Sequence, residues 1–313
     1  MHKGESSKDC PLCMGSHWAE IGQTALAPIQ KYWEQFNYKL ATDFPHVPEY
    51  LTECRCSDCG LHFYQPSLIG SDHLYERSST WDLYYNEYKW EFTEVLDWLS
   101  KRPLGKLLEL GCGTGAFLVK AKRFCESAEG IEFNKRAVAR CHELNLSVTD
   151  APIENMAGTF DTIVAFQVFE HVALPGEIIA QCVTHLAPGG ELIIAVPNHD
   201  GVLKGLNGNF LNLPPHHATH WEKSCFTFIA ERHGLEIAHY KPEPISLELY
   251  QVYSQDQLRR LQTYTGLLGW ASNKLLSLLH RAMLPYFFDA VRNDLHGHTQ
   301  LAILRKPMHE VSL

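Results

Sequence analysis

The stretch KLLELGCGTGAFL, Lys106 to Leu118, constrains the fold of this chain more than any other. An apolar run ends at Glu109-Leu110, glycines follow at alternate positions (Gly111, Gly113 and Gly115), and a helix-forming run opens at once. A strand that turns on glycines straight into a helix belongs to α/β sheets that bind a ligand at the carboxyl ends of their strands. Bare backbone there lets the ligand approach closely. Such a turn is a weak signal by itself, so the neighbouring segments decide. The spacing is G-x-G-x-G behind an acidic residue, not the G-x-G-x-x-G of the dinucleotide-dependent dehydrogenases that compete for any glycine turn.

Further segments extend the pattern. AEGIEFN ends a second strand at Glu132, roughly twenty residues past the glycines, where a carboxylate can accept from both hydroxyls of a ribose. LSVTDAPIENM ends a short strand at Asp150, placed to accept from an adenine amino group. FDTIVAFQVFEHV is a fourth strand ending near Phe166-Gln167, and LAPGGELIIAVPN gives a turn and a fifth strand. Strands alternating with helices predict an α/β fold with a doubly wound parallel sheet.

Ahead of this unit stand two C-x-x-C pairs, Cys10-Pro-Leu-Cys13 and Cys56-Ser-Asp-Cys59. Four thiolates in a closed tetrahedral shell are what structural zinc prefers, and such a shell serves folding rather than chemistry. The alternative is free thiols in a small core, with Cys54 as a spare that could compete as a ligand. Gly60 follows the second pair, where a tight turn needs positive φ. Between the pairs, APIQKYWEQFNYKL puts Ile29, Tyr32, Trp33, Phe36 and Leu40 on one helical face, so a helix is expected inside the ribbon. Next comes WDLYYNEYKW, with Trp81, Tyr84, Tyr85, Tyr88 and Trp90, read either as a helix packing its apolar side or as a lid. The expected organisation is a zinc ribbon with an inserted helix over 1–66, a helical lid or linker over 67–98, and the sheet domain over 99–313.

From Trp90 to Lys306 the chain resembles the class I S-adenosylmethionine-dependent methyltransferases. The resemblance lies in the E-x-G-x-G-x-G motif, the acidic ends of strands two and three, the strand-four segment and the P-G-G turn. It implies a seven-stranded Rossmann-like sheet of order 3-2-1-4-5-7-6, with LEIAHYKP and TQLAILRKP as an antiparallel pair, strands six and seven. A helical insertion over about 244–297 would lie between them. It also implies a site for S-adenosylmethionine. Glu109, Gly111, Gly113 and Gly115 would cradle methionine and ribose, Glu132 and Phe133 the ribose, Asp150 and Ala151 the adenine end, while Phe166 and Gln167 line the floor. The front end (CPLC, RCSDCGLHF, DLYYNEY) is similar to a subgroup with an N-terminal zinc ribbon and a Tyr-rich helix. Cys10, Cys13, Cys56 and Cys59 would be the structural Zn2+ ligands. Sugar C-methyltransferases of deoxysugar pathways share that front end and add a third domain, which this chain is too short to contain.

Methyl transfer is an in-line displacement at a sulfonium carbon. The protein must position a nucleophile, exclude water and, for a hydroxyl or acidic carbon, remove a proton. Histidine suits that last task. Glu170-His171 sits just past strand four, and LPPHHATHW brings His216, His217 and His220 after strand five, both at the ligand-binding edge. In the sugar C-methyltransferases an E-H pair occupies this second loop and its histidine is the base. The resemblance therefore points to His217 as the base, with His220 second and Glu170-His171 as the other candidate catalytic group. Otherwise these histidines and Trp221 cap the following helix. A divalent cation is the competing reading, held either at the strand-four turn or by the HHxxH loop with Glu170. Ubiquinone-pathway O-methyltransferases carry E-x-x-E-H at the strand-four turn, but Gln167 replaces the first acid here, which weakens a site for a hard cation.

Bulk properties narrow the partner. Net charge is −9 over 313 residues, and no Lys/Arg run is visible, so a polyanion is disfavoured. A small-molecule acceptor (a sugar nucleotide, natural-product scaffold or glycolipid precursor) is expected. RNA methylation guided by the ribbon and a non-catalytic S-adenosylmethionine-binding scaffold are the alternatives. No secretory signal opens the chain and no apolar run has transmembrane length. Ten cysteines without a signal suggest a reducing, cytoplasmic setting. LLGWASNKLLSLLHRAMLPYFFDAV is apolar over a broad helical face, suited to covering the pocket or forming a homodimer face. Weak peripheral membrane contact is the sharper alternative.

Overall fold

The computed structural model describes residues 9–71, 74–75, 88–101, 104–206, 208–263 and 283–308. Two sheets organise them. The larger contains β4 (Leu104–Leu110), β5 (Cys125–Ile131), β6 (Ser147–Thr149), β7 (Phe160–Phe166), β8 (Leu186–Pro197), β10 (Glu236–Pro244) and β11 (His296–Arg305), in the order β10-β11-β8-β7-β4-β5-β6. Counted from β4, this is the expected 3-2-1-4-5-7-6. The five central and edge strands from β6 to β8 run parallel, and β11 is antiparallel to both β8 and β10. β7 and β8 read as nearly continuous apolar runs because both faces of the sheet are covered by helices, leaving no wet face to alternate with.

The smaller sheet joins β1 (Trp18–Ala25), β2 (Tyr50–Cys56) and β3 (His62–Gln65) with β9 (Thr219–His220). Its last strand therefore comes from the LPPHHATHW loop: His62 pairs with His220 and Phe63 with Thr219. Between β1 and β2 lie α1 (Leu26–Glu34) and α2 (Leu40–Asp43), which bury Leu26, Ile29, Trp33 and Leu40 against Leu51 and Tyr64. The cysteine segment and the small sheet pack onto the large domain. Cys10, Leu12, Leu61 and Phe63 share one apolar core with Ile179, Cys182, Trp221 and Phe226 of the large domain. Gly176, in the first turn of α6 (Pro175–Thr184), records how close the two come. A Cβ there would sit 2.2 Å from the carbonyl oxygen of Leu12, and its own N–H donates to the Pro11 carbonyl at 3.2 Å.

α3 (Trp90–Leu99) packs across the opposite face, where Phe92 meets Phe117 and Phe166 with ring centroids 5.4 and 5.0 Å apart. Glu191, fully buried on β8, is held by Arg305 at 2.8 Å and by the Trp98 indole at 2.9 Å, tying that helix to the hairpin. Between β10 and β11 stand α8 (Leu247–Thr263) and a helix over 283–291, and Ile245, Tyr250 and Leu284 bury Val202 beneath them. Residues 264–282 of the insertion, and Trp81, Tyr84 and Tyr85 of the aromatic segment, lie outside the described residues. No described helix is long and apolar enough to cross a membrane.

Candidate active site at the carboxyl edge of the sheet

The glycine turn links β4 to α4 (Ala116–Ala121), with φ of 63°, 53° and 82° at Gly111, Gly113 and Gly115. Those angles lie in the left-handed region that side chains resist. At Gly115 a Cβ would also stand 2.3 Å from Leu146 Cδ1. The turn is stitched to the next strand by Cys112 N–H donating to Ile131 O at 3.1 Å. Glu132 then reaches back across it. One carboxylate oxygen accepts from Gly113 N–H at 2.8 Å and the other from Asn134 N–H at 2.8 Å. Asn134 in turn caps α5 (Lys135–Glu143) by accepting from the N–H groups of Arg136 and Ala137. The acid that sequence spacing offers to a ribose is thus anchored by backbone on both oxygens.

The other residues of the expected cradle lie on or just past the neighbouring strands β4, β5, β6 and β7. Phe133 is 66% exposed beside Glu132, a large aromatic face left open. Asp150 is exposed just past β6, and Ala151 N–H donates to Thr149 Oγ1 at 3.1 Å. Glu109 is buried within β4, and burial holds its carboxyl well above the usual carboxylate range. Phe166 lies against Phe117 with centroids 4.7 Å apart. Gln167 has a φ of 56°, and its amide nitrogen donates to Glu91 at 3.3 Å and to Thr299 Oγ1 at 3.4 Å. Glu91, on α3, is 4% exposed. A charge in a helix reads as a surface residue, so only the packing of α3 over the strand ends reveals it.

The histidines divide into two groups. His171, His216 and His217 converge, each offering a ring nitrogen within 4.8 Å of the others. Their rings are 4.6 to 4.8 Å apart. Every Nδ1 in the group is engaged. His171 donates to the His216 carbonyl at 2.6 Å, His216 to the Leu211 carbonyl at 2.8 Å, and His217 to Asn212 Oδ1 at 2.9 Å. Oxygen acceptors place the proton on Nδ1 and leave a lone pair on Nε2. Burial lowers His171 to about 3 and His216 to about 4, and holds His217 well below the ordinary imidazole value, so all three are neutral at pH 7. Tyr75 stands edge-on to His171 at 5.6 Å. Glu170 is fully buried below them. Neither carboxylate oxygen has a hydrogen-bond partner among the described residues, and burial pushes the group up to about 8. A protonated acid and an amide already engaged with Glu91 make the Gln167–Glu170–His171 motif a poor donor set for a hard cation.

His220 belongs to the second group. Its Nε2 donates to the Asn212 carbonyl at 2.6 Å, and its ring stacks on His199 at 4.7 Å. His199 in turn lies 4.2 Å from His62 of the ribbon. His62 and His199 carried no motif, although His199 follows β8 directly and so had to lie at the same sheet edge.

The four cysteines also come together: Cys10, Cys13, Cys56 and Cys59 place their sulfurs within 4.8 Å of one another, with Cys10–Cys59 and Cys13–Cys56 at 3.5 Å. A tetrahedral zinc with bonds of about 2.3 Å needs sulfurs about 3.8 Å apart, so the set fits. Gly60 has the left-handed φ, 78°, that closes the second knuckle. Cys54 stays outside the cluster, its thiol turned to the Thr52 carbonyl.

The profile of a methyltransferase domain family matches residues 85–268, more than half of the chain and the whole run from the glycine turn to the histidine loop. The chain belongs to this methyltransferase family. Among curated relatives, the ubiquinone biosynthesis O-methyltransferase of Nitrosococcus oceani is 30% identical over 103 residues, 30% of this chain and 44% of that protein. That of Acinetobacter baumannii is 28% identical over 120 residues, 34% of this chain and 51% of that protein. The methyltransferase chain described here thus spans about half the length of the curated relatives it matches. Among solved structures, the N-methyltransferase NodS from Bradyrhizobium japonicum WM9, in complex with S-adenosyl-L-homocysteine, aligns with a TM-score of 0.44. The identity is 20%, over 72% of this chain and 91% of that one. A S-adenosylmethionine-dependent methyltransferase from Archaeoglobus fulgidus aligns with a TM-score of 0.46 and 16% identity, over 69% and 91%.

Proposed function

We propose that this methyltransferase moves a methyl group from S-adenosylmethionine to a small-molecule acceptor bound at the His171–His216–His217 cluster, with His217 as general base. The observation that carries the first half is the closed cradle: left-handed glycines spanned by Glu132, with the Phe133 face open beside it. Glu132 would accept from the ribose hydroxyls, Asp150 and Ala151 would meet the adenine end, and Glu109, Phe166 and Gln167 would shape the floor. When bound, the cofactor supplies an electrophilic methyl on a charged sulfonium. The chain's own residues orient the acceptor, keep water out and take its proton.

The three neutral imidazoles support the second half. A base must present a lone pair, and the tethered Nδ1 of His217 leaves that lone pair on Nε2. The acceptor on this reading is a hydroxyl or acidic carbon of a sugar nucleotide, natural-product scaffold or glycolipid precursor. The acidic net charge of −9 favours that class over RNA. Cys10, Cys13, Cys56 and Cys59 would hold a structural zinc in a closed shell, and the ten free cysteines suit a reducing, cytoplasmic setting.

Calorimetric titration with S-adenosylhomocysteine tests the cradle. The wild-type chain should bind, and Glu132→Ala should lose about 100-fold in affinity, because two hydrogen bonds to a charged acceptor disappear. No uptake by the wild type, or equal affinity in the variant, overturns the assignment.

A further inference from the structure

We propose that Glu53, His62 and His199 form a second metal site, for a divalent transition-metal cation of the zinc type, which fastens the ribbon sheet to the methyltransferase sheet. The three residues come from both bodies. Glu53 is on β2 and His62 on β3 of the ribbon, while His199 follows β8 of the large sheet. Each offers one donor atom, and the three donors lie within 4.8 Å of one another. None of them belongs to the cysteine set or to the group proposed to face the acceptor.

Hydrogen bonding selects the donor on His62. Its Nε2 lies 2.8 Å from Glu222 Oε1, and a carboxylate only accepts, so the proton sits on Nε2 and Nδ1 presents a lone pair. That Nδ1 has no hydrogen-bond partner among the described residues and stands 3.5 Å from Glu53 Oε1. A lone pair facing a carboxylate oxygen is repulsive unless a cation lies between them. Tetrahedral bonds of about 2.1 Å place two donors about 3.4 Å apart, close to the separation seen.

His199 strengthens the case. It is 7% exposed, and both of its ring nitrogens lack a hydrogen-bond partner among the described residues. Buried polar atoms are nearly always satisfied, and leaving two on one ring is costly. Protonating His62 on both nitrogens would satisfy the His62–Glu53 pair but would leave His199 as it is. A cation shared by the three accounts for all of them. His220, stacked on His199, adds a buried Nδ1 that also lacks a partner. The surroundings are those of a metal-bound histidine. Glu222 backs His62 from behind and is itself gripped by Arg55 at 2.7 Å, the carboxylate–histidine arrangement that fixes a ligand's tautomer.

The test is the metal content of the purified full chain, loaded with Zn2+ and dialysed against a weak chelator, for wild type, His199→Phe and Glu53→Gln. Each variant should carry one equivalent less than wild type. Loading with Co2+ should leave the intense thiolate band of the cysteine set intact in both. Far-UV circular dichroism and S-adenosylhomocysteine affinity should be unchanged, which separates this result from a failure of the cofactor cradle. Should His199→Phe fail to fold, Glu53→Gln decides alone, since it keeps the side chain's shape. Equal metal content in wild type and the folded variants overturns the proposal and leaves an empty buried polar cluster.

Discussion

Two clusters containing buried histidines flank the loop over 213–221, and they differ in what holds the rings. In the His171–His216–His217 group each Nδ1 donates to a carbonyl or amide oxygen, so the chain itself fixes three tautomers. In the Glu53–His62–His199 group one ring is oriented by Glu222, while His199 has neither nitrogen bonded within the described chain. Similar burial therefore carries different meanings. A ring oriented by one nitrogen is ready to use the other on an incoming ligand or proton. A ring with both nitrogens idle demands a partner of its own.

The largest expected effect tests the division directly. His217→Ala should lower kcat by about 100- to 10,000-fold, the range for losing a positioned base, with S-adenosylhomocysteine affinity retained. His199→Phe, in the other cluster, should leave turnover within a few-fold. Once an acceptor is in hand, steady-state kinetics on both variants reads the contrast. Equal losses would mean that the two clusters work as one, and full activity in His217→Ala would return the first cluster to a structural role.

Acid should affect the first cluster through stability. Burial lowers His171 to about 3 and His216 to about 4, whereas an unfolded chain takes up these protons near 6.5. Between those values the unfolded state binds more protons, so stability is present above pH 6.5 and is lost as the pH falls toward 4. The expected slope is about 1.4 kcal/mol per pH unit for each such histidine. Denaturant midpoints at pH 7.5, 6.5 and 5.5 measure it. His216→Phe should flatten the slope by one proton, and an unchanged slope would show that His216 does not stay neutral when buried.

How much of this arrangement could be read beforehand depends on how far apart in the chain its parts lie. The cradle from Glu109 to Asp150 consists of successive strand–turn–helix units, so the spacing of glycines and acids already carries its geometry. The fold order follows from the same units and from the closing hairpin. His171, His216 and His217 were visible as residues, since both segments end at one sheet edge, but not their tethering to Leu211 and Asn212. The second cluster was hidden, because His62 meets His199 where β3 pairs with β9 and the chain after β8 bridges to Trp221. The same pairing split His220 from His217, a division that three histidines in one short loop do not announce.

Glu222→Gln sharpens the metal side. The amide keeps an acceptor for His62 but removes the charge shared with Arg55, and losing the carboxylate behind a metal-bound histidine costs roughly 10- to 100-fold in metal affinity. Competition against a calibrated chelator should show that loss, with the cysteine site unaffected. An unaltered affinity would mean that Glu222 serves only to pin Arg55 and the start of α7 (Lys223–His233).

The smallest effect concerns orientation alone. Asn212 accepts from two histidines, its side chain from His217 and its backbone carbonyl from His220. Asn212→Ala removes the first contact and keeps the second, so it separates the clusters without emptying either. A lost neutral hydrogen bond is worth about 1 kcal/mol, which predicts a fall of roughly five-fold in kcat with KM little changed. The freed ring can then adopt either tautomer. Asn212→Asp should restore the acceptor and with it most of the rate, and it should move the acid limb of the pH–rate profile upward because a carboxylate stabilises the imidazolium. If Asn212→Ala instead reduces metal retention at His199, the backbone of the loop couples the two groups, and the separation drawn between them is too sharp.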